Sequence, residues 1–250
     1  MMMRAAMRLA FETIHGIAVP AVSVTRMEEV CRLASGNGGM QAVQLAENAG
    51  RGLAITAMRM LGAHWMESRI LVLAGSCVCE SSICAARHLA NRGASVSLCL
   101  AHPRRLSASV RRQLNAYQET GGGSVSASQL EGDDFDLVID ALGGATESCT
   151  PTGAVRDLIQ WANDIGAPVL SLDAPSGINA TTGHHSDIYI RASQTLTLGL
   201  PKTGLLPDLT GGLVLSDIGI PMGAYAKLGI NYTPPFGVDF TVALRALPTA

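Results

Sequence analysis

Two aspartates stand where the side chains of an acid–base or cation-binding site are expected. Asp140 follows the largely apolar run 135–139, and Asp173 follows the apolar run 168–172, so each carboxylate closes a segment of strand length. In an open α/β sheet, ligands bind at the carboxyl ends of the strands. A bound cation would offset the repulsion between two neighbouring carboxylates. The pair therefore indicates a cation site or a catalytic site.

The turn after the second aspartate, 173–177, reads Asp-Ala-Pro-Ser-Gly. Pro175 and Gly177 stiffen and bend the backbone, and Ser176 places a hydroxyl next to the carboxylate. An ordinary strand-to-loop turn that is capped by its aspartate would contain the same residue types. The turn by itself leaves the structural and the functional interpretation open.

A third strand end, at Gly75, is where a phosphate-binding loop is expected, because a strand precedes it and a helix follows it. The loop 75–82 reads Gly-Ser-Cys-Val-Cys-Glu-Ser-Ser, with a single glycine. Glu80 would repel a phosphate group. Ser81 and Ser82 could cap the helix or donate their hydroxyls to a ligand. On physical grounds alone the loop is poorly suited to a dinucleotide.

Sulfur chemistry is a second possibility for this loop. Cys77, Cys79, Cys84 and His88 lie close together in the sequence, although their spacing is not that of a standard zinc site. A reactive thiol at Cys77 or Cys79 is an alternative, because a helix N-terminus lowers the pKa of a thiol. Ordinary core and surface positions would explain the same residues, so three interpretations stay open.

The composition favours one large core and a small-molecule partner. Hydrophobic residues make up 48% of the 250 residues, charged residues 15%, and the net charge is −2. The lack of a basic block argues against nucleic acid, and no apolar run approaches the roughly 20 residues that span a bilayer. Glu12 and His15 interrupt the apolar N-terminal stretch, which favours an amphipathic arm over a cleaved targeting sequence. Six cysteines without a signal predict reduced thiols in the cytoplasm.

Apolar spacing predicts the elements that position these residues. Strands alternate with helices, which predicts a three-layer, Rossmann-like α/β fold with a mostly parallel sheet and helices on both faces. Two later strands, 194–199 and 212–217, have no helix-length segment between them, so we expect an antiparallel or edge addition. The tail beyond Pro221 is expected to wrap the domain in partly extended form. The predicted strands of the parallel sheet cover 70–75, 94–100, 135–140 and 168–172. The predicted helices cover 24–34, 40–61, 82–91, 107–119 and 153–165.

Six short motifs follow one another along the chain. They are Leu-Ala-Glu-Asn-Ala-Gly at 45–50, Ala-Ala-Arg-His-Leu at 85–89, Ile-Asp-Ala-Leu-Gly-Gly at 139–144, the turn 173–177, Thr-Leu-Thr-Leu-Gly-Leu-Pro-Lys-Thr-Gly at 195–204, and Asp-Ile-Gly-Ile-Pro at 217–221. In this order they resemble the NAD(P)H-hydrate epimerase family, the YjeF N-terminal domain. The resemblance covers about residues 20–222. It implies a single domain over 1–250, with 1–19 as an N-terminal arm and 223–250 as a C-terminal extension.

The resemblance implies an isomerase that repairs cofactors by interconverting the R and S hydrates of NADH and NADPH, commonly as a homodimer. Asp173 matches the residue that contacts the substrate, and a carboxylate suits the proton transfer that epimerisation needs. Lys202 is a second catalytic candidate. The substrate contacts that the resemblance implies are Asn48, Gly75, Ser76, Cys77, Cys79, Ser81, Ser82, Gly144, Ala145, Thr146 and Asp173.

The family also implies a potassium ion, which is where this sequence departs from the pattern. Asp140 and Ser176 match two of its ligands, but the asparagine expected in the glycine loop falls at Val78 or Cys79, which are poor ligands for a hard cation. Glu147 adds a further negative charge in the second substrate loop. Two alternatives therefore remain: a diverged member that binds or transforms another small molecule, and a non-catalytic partner or scaffold subunit.

Overall fold

The structure is a computed structural model that describes residues 10–36, 39–75, 79–130, 134–148 and 150–247. Within these residues a ten-stranded sheet forms the middle layer and helices cover both of its faces, which confirms the predicted Rossmann-like α/β architecture. The strands are β1 (Ala10–Thr13), β2 (Ala18–Val19), β3 (Arg69–Ala74), β4 (Ser95–Leu100), β5 (Gly123–Ser124), β6 (Leu137–Ala141), β7 (Val169–Leu172), β8 (Gln194–Leu198), β9 (Gly212–Ser216) and β10 (Thr241–Leu247). The α-helices are α1 (Val24–Ser35), α2 (Ala42–Leu61), α3 (Cys79–Ala90), α4 (Ala108–Gln118), α5 (Ala154–Asp164), α6 (Pro207–Thr210) and α7 (Met222–Lys227).

The order of the parallel strands creates a crevice at the centre of the sheet. The order of the parallel strands is β5-β4-β3-β6-β7-β8-β9, and β3 pairs with β4 on one side and with β6 on the other. The direction of strand addition therefore reverses between β3 and β6, and doubly wound folds bind ligands at such a reversal. The carboxyl ends of β3, β6 and β7 bring Gly75, Asp140 and Asp173 to this edge of the sheet.

The prediction that the strands near 194–199 and 212–217 make an antiparallel or edge addition is wrong. β8 pairs parallel with β7, and β9 pairs parallel with β8, so both continue the central sheet. The 13-residue connection 199–211 is long enough for a parallel crossover, which needs about a dozen residues, and it contains the short helix α6. The antiparallel edge is instead built by β10, β1 and β2, which come from the two ends of the chain.

Side chains of the central strands alternate between two cores. Ile70 and Val72 pack with residues of α2 and α3, whereas Leu71 and Leu73 pack with residues of α5. All four are fully buried, and each such side chain contributes about 1.5–3 kcal/mol. Burial on both faces explains why these strands read as continuous apolar runs. No helix in the described residues is long and apolar enough to cross a membrane.

The third helix begins earlier than the serines suggest. We predicted a helix over 82–91 with Ser81 or Ser82 as its cap, but α3 starts at Cys79. The Ser82 hydroxyl donates to the Cys79 carbonyl oxygen at 2.9 Å, so this serine lies inside the first turn. That hydroxyl is consequently used within the helix.

Ser216 carries a buried hydroxyl, and its replacement tests what burial without a hydrogen bond costs in this core. Its side chain is fully buried against α2, and its Oγ has no hydrogen-bond partner among the described residues. An unsatisfied buried hydroxyl costs about 1–3 kcal/mol, so we expect Ser216→Ala to raise the free energy of unfolding by about 1 kcal/mol. Ser171→Ala is the matched control, because that buried hydroxyl donates to Asp140 and its loss should be destabilising. Denaturant unfolding measures the change in both variants. Equal destabilisation of the two would contradict the inference that the Ser216 hydroxyl is unsatisfied.

Candidate functional site

Asp173 is held in an unusual backbone conformation directly after β7. Its φ is 67°, and no other non-glycine residue of the described chain has a positive φ. Aspartate tolerates this region better than most residues. The Asp173 N–H donates to the Leu196 carbonyl oxygen at 2.7 Å, and its Oδ1 accepts from the Leu198 N–H at 3.0 Å and from the Thr197 hydroxyl at 3.3 Å. The end of β8 thus fixes both the backbone and one carboxylate oxygen.

Lys202 completes this arrangement through an ion pair with the same oxygen, Oδ1. The lysine side chain is 2% exposed and that of Asp173 is 14% exposed. Its ammonium also donates to the Leu198 carbonyl oxygen at 3.1 Å. A buried ammonium is costly without a partner, so the pair is held together. Oδ2 of Asp173 accepts no hydrogen bond from the described residues, which leaves it the oxygen available for proton exchange.

Asp140 joins β6, β7 and the turn 173–177. The carboxylate is fully buried and accepts hydrogen bonds from the Ser176 hydroxyl at 2.6 Å, the Ser176 N–H at 2.9 Å, the Ser171 hydroxyl at 2.8 Å and the Leu142 N–H at 3.2 Å. Burial raises the pKa of Asp140 above its ordinary value, although these four donors act in the opposite direction. Asp140 therefore fixes the turn that carries Asp173.

Within the described residues, the two side chains matched to potassium ligands already have hydrogen-bond partners. A carboxylate has about four acceptor positions, and four donors already bind Asp140. The Ser176 Oγ donates to Asp140 and accepts from the Gly143 N–H at 2.8 Å. Of the two positions matched to the missing asparagine, Val78 lies outside the described residues and Cys79 is a buried thiol. Potassium stays a prediction, and none of the chemistry below depends on it.

Gly75, one of the predicted substrate contacts in the first loop, has a structural role at the strand ends. The Gly75 N–H donates to the Ala141 carbonyl oxygen at 2.8 Å, and a Cβ at Gly75 would collide with the Leu142 carbonyl. Glycine is therefore required where the ends of β3 and β6 approach each other. Ser81 is buried, and Ser76 and Cys77 lie outside the described residues.

Asn48 connects α2 to the segment that follows the carboxyl end of β9. Its side-chain amide donates to the Ile218 carbonyl oxygen at 3.0 Å, just after β9. Its predicted contact with a substrate stays a prediction.

The second substrate loop, which includes Gly144, Ala145 and Thr146, is tied to the segment after the Asp173 turn. The Thr146 carbonyl oxygen accepts from the Ala180 N–H at 2.9 Å. Gly144 has a φ of 69°, a conformation that favours glycine. The loop therefore lies beside the segment that follows the turn, and its predicted contacts with a substrate stay predictions.

Glu147, at the end of this loop, has partners that the sequence does not suggest. Its carboxylate accepts from the Thr181 hydroxyl at 3.0 Å and from the Thr25 hydroxyl in the first turn of α1 at 3.3 Å. A carboxylate is stabilised near a helix N-terminus. The extra negative charge thus has a structural role.

Glu47, Arg87 and His88 form a cluster that the sequence analysis missed. Nη2 of Arg87 lies 2.7 Å and 2.6 Å from the two carboxylate oxygens of Glu47, and Nε2 of His88 lies 2.8 Å from one of them. A Cβ at Gly50 would collide with the Cβ of Cys84, so α2 and α3 are in close contact at this point. The motifs 45–50 and 85–89 therefore lie in contact. Their opposite charges were the feature of the sequence that could have predicted this contact.

The cysteines near this cluster are core residues in the described chain. Burial raises the pKa of Cys79 to about 11, and burial together with Glu47 raises that of Cys84 to about 12. The prediction of a reactive thiol at Cys79 is therefore wrong, because its side chain is buried and burial raises its pKa. Among the described residues no group of three or more His, Cys, Asp and Glu side chains is placed to hold a metal ion.

The Glu47 cluster makes stability depend on pH. Burial alone would raise the pKa of Glu47, but the hydrogen bond and charge of Arg87 outweigh it, so the pKa lies below its ordinary value of 4.5. The stabilisation is present above pH 4.5 and is lost as the pH falls through the lower, folded-state pKa. We expect Glu47→Gln to lower the melting temperature most at pH 7 and progressively less toward acidic pH. A difference that grows below pH 4.5 would contradict this, and Glu67→Gln, an exposed carboxylate, is the control.

Comparison with known proteins identifies the family to which this chain belongs. Residues 42–204 match the family described as YjeF-related protein N-terminus. The chain belongs to this family. It is 41% identical over 242 residues to an NAD(P)H-hydrate epimerase of Dehalogenimonas lykanthroporepellens. The matched region covers 96% of this chain and 99% of that protein. It is also 33% identical to a bifunctional NAD(P)H-hydrate repair enzyme of Moorella thermoacetica, covering 84% of this chain and 42% of that protein.

The chain is also similar to a protein with a different name. The chain is 29% identical to the enhancer of mRNA-decapping protein 3 of Homo sapiens over 94% of its own length, but it spans 47% of that protein. The crystal structure of the yeast protein YNL200c has the same fold, with a TM-score of 0.78 at 19% identity, covering 90% of this chain and 100% of that one.

Proposed function

We propose that this chain is an NAD(P)H-hydrate epimerase that interconverts the R and S hydrates of NADH and NADPH. The observation that carries the proposal is the Asp173 carboxylate, which has one oxygen fixed and the other open at the ligand-binding edge of the sheet. The 41% identity to an epimerase over nearly the full length of both chains supports it. The sequence further leads us to expect a homodimer that works in the cytoplasm.

The reaction requires a proton to be moved at one stereocentre. The ring carbon that bears the added hydroxyl is inverted if the hydroxyl leaves and returns, or if the ring opens and closes again. Loss of the hydroxyl needs a group that donates a proton to the leaving oxygen and takes it back when water returns, whereas ring opening needs a group that accepts the hydroxyl proton and returns it on closure, so one group that exchanges a proton serves either route. Oδ2 of Asp173 does this, while the Leu198 N–H and the Lys202 ammonium keep the carboxylate from rotating. Lys202 acts through Asp173 and is a positioning residue.

The proposal is tested by following one purified epimer of NADPH hydrate by chromatography. Spontaneous epimerisation gives the baseline, and the protein is expected to speed the approach to the equilibrium mixture in proportion to its concentration. A rate equal to that of buffer would refute the proposed function. Heat-denatured protein is the control.

A non-catalytic or diverged member is the second candidate, and the first loop favours it. Cys79 and Glu80 stand where the family pattern has asparagine and glycine, and burial raises the pKa of the Cys79 thiol. A non-catalytic subunit predicts that the protein leaves the baseline rate unchanged and that replacing Asp173 changes no activity. A diverged member predicts a ligand with less phosphate and more apolar surface at the same strand ends.

A further inference from the structure

A cavity lies on the opposite side of the central crevice from Asp173. It has a volume of about 180 Å³ and is located at the carboxyl ends of β3 and β4. Its polar and basic lining comes from the segment between β4 and α4. The residues that matter here are Gly75, Leu100, His102, Arg105, Ser107 and Val110.

We propose that this cavity binds the 2′-phosphate on the adenosine ribose of NADPH hydrate, so that the chain prefers the NADPH form over the NADH form. The identity of the dinucleotide rests on the proposed function. The recognition of a phosphate monoester on a ribose does not depend on the proposed function.

The position of the cavity is the first argument. β4 is the second strand of the Rossmann order, and the residues after it read the ribose in doubly wound folds: an acid accepts from a 2′-hydroxyl, whereas an arginine accommodates a 2′-phosphate. The segment 101–107 reads Ala-His-Pro-Arg-Arg-Leu-Ser and contains no acid. Asp173 follows β7, three strand spacings or roughly 14 Å away along the same edge. A dinucleotide across the crevice would therefore place its nicotinamide at Asp173 and its adenosine ribose here.

Charge is the second argument. None of the described residues that line the cavity is acidic, and Arg105 makes no ion pair within the described chain. His102 lines the same cavity. Ser107 caps α4, and Val110 is in the first turn, so the positive end of an 11-residue helix adds to the basic side chains. An arginine guanidinium binds phosphate through two parallel hydrogen bonds.

The first loop is the third argument. In its sequence the segment 75–82 has a single glycine, at Gly75, and an acid at Glu80 in the first turn of α3, so it has few of the features that bind a pyrophosphate. A ligand that binds at this edge must obtain its affinity elsewhere, and the 2′-phosphate is the further anionic group that NADPH hydrate has and NADH hydrate lacks.

Binding of small probes tests the cavity without any turnover. Isothermal titration calorimetry compares 2′,5′-ADP, 5′-AMP and inorganic phosphate on the full chain. A charge-assisted contact is expected to make 2′,5′-ADP bind about tenfold or more tightly than 5′-AMP. Arg105→Gln should remove that difference, and Arg111→Gln, the same charge change on α4 outside the cavity, should not. Equal affinities, an unchanged Arg105→Gln variant, or inorganic phosphate binding as tightly as 2′,5′-ADP would overturn the proposal.

Turnover separates this proposal from the function on which it rests. The ratio of kcat/KM for NADPH hydrate to that for NADH hydrate should fall in Arg105→Gln and stay constant in Arg111→Gln. Epimerisation of both hydrates with an equal, unaltered ratio would overturn the proposal while the proposed function stands. Discrimination between 2′,5′-ADP and 5′-AMP without any epimerisation would overturn the proposed function while the phosphate site stands.

Discussion

Replacing Asp173 by asparagine is expected to slow the epimerisation of NADPH hydrate by about 10²–10⁴-fold, the range typical of a positioned acid–base group. Asparagine keeps the shape of the side chain, and its oxygen can still accept from the Leu198 N–H and from Lys202. It also tolerates the left-handed backbone at this position, which alanine does not. What it loses is the open oxygen that exchanges a proton. Steady-state kcat/KM for both epimers measures the effect.

The control for this variant is Asp187→Asn. Asp187 is an exposed carboxylate whose Oδ2 pairs with Nη2 of Arg156 at 2.7 Å, and we expect wild-type activity from it. Wild-type activity in Asp173→Asn, with an unchanged melting temperature, would remove Asp173 from the proton transfer.

The second large effect is expected on stability. Asp140→Ala leaves two backbone N–H groups and two serine hydroxyls without their buried acceptor, so the free energy of unfolding should fall by about 3–5 kcal/mol. That loss is a large fraction of the roughly 5–15 kcal/mol that stabilises a typical domain. Denaturant unfolding monitored by circular dichroism measures it, because α/β domains lose their helical signal on unfolding.

Asp136→Ala is the matched control for this loss. Asp136 is exposed, and its Oδ2 accepts one hydrogen bond from the Arg69 N–H at 2.7 Å, so its removal should cost less than about 1 kcal/mol. If both variants lose the same amount, Asp140 is not the residue that holds the turn. Ser176→Ala, which removes one of the four donors, is expected to fall between the two.

Local signals explain what the sequence could predict. The apolar runs that end at Gly75, Asp140 and Asp173 carry their own strand and turn signals, and three parallel strand ends must lie on one edge of a sheet. The fold class and the location of the site follow from this. The motifs of the family added the proposed substrate, which no spacing of residues could supply.

Non-local pairing explains what the sequence could not predict. Nothing near 194–199 indicates that the next strand is parallel, because the crossover contains one short turn of helix rather than a full one. Glu47 and Arg87 are 40 residues apart, so their contact depends on how α2 packs on α3. The role of Asp140 depends on which donors surround it, and Ser171, Ser176 and Leu142 converge only in the folded chain.

A double-mutant cycle on Asp173 and Lys202 tests the central claim most directly. If Lys202 acts by holding the Asp173 carboxylate, then Lys202→Met slows epimerisation through kcat, and adding it to Asp173→Asn slows the reaction no further than Asp173→Asn alone, within about twofold. If the two effects multiply in the double variant, with all four proteins folded as judged by their melting curves, the two residues act independently and the account of the site is wrong.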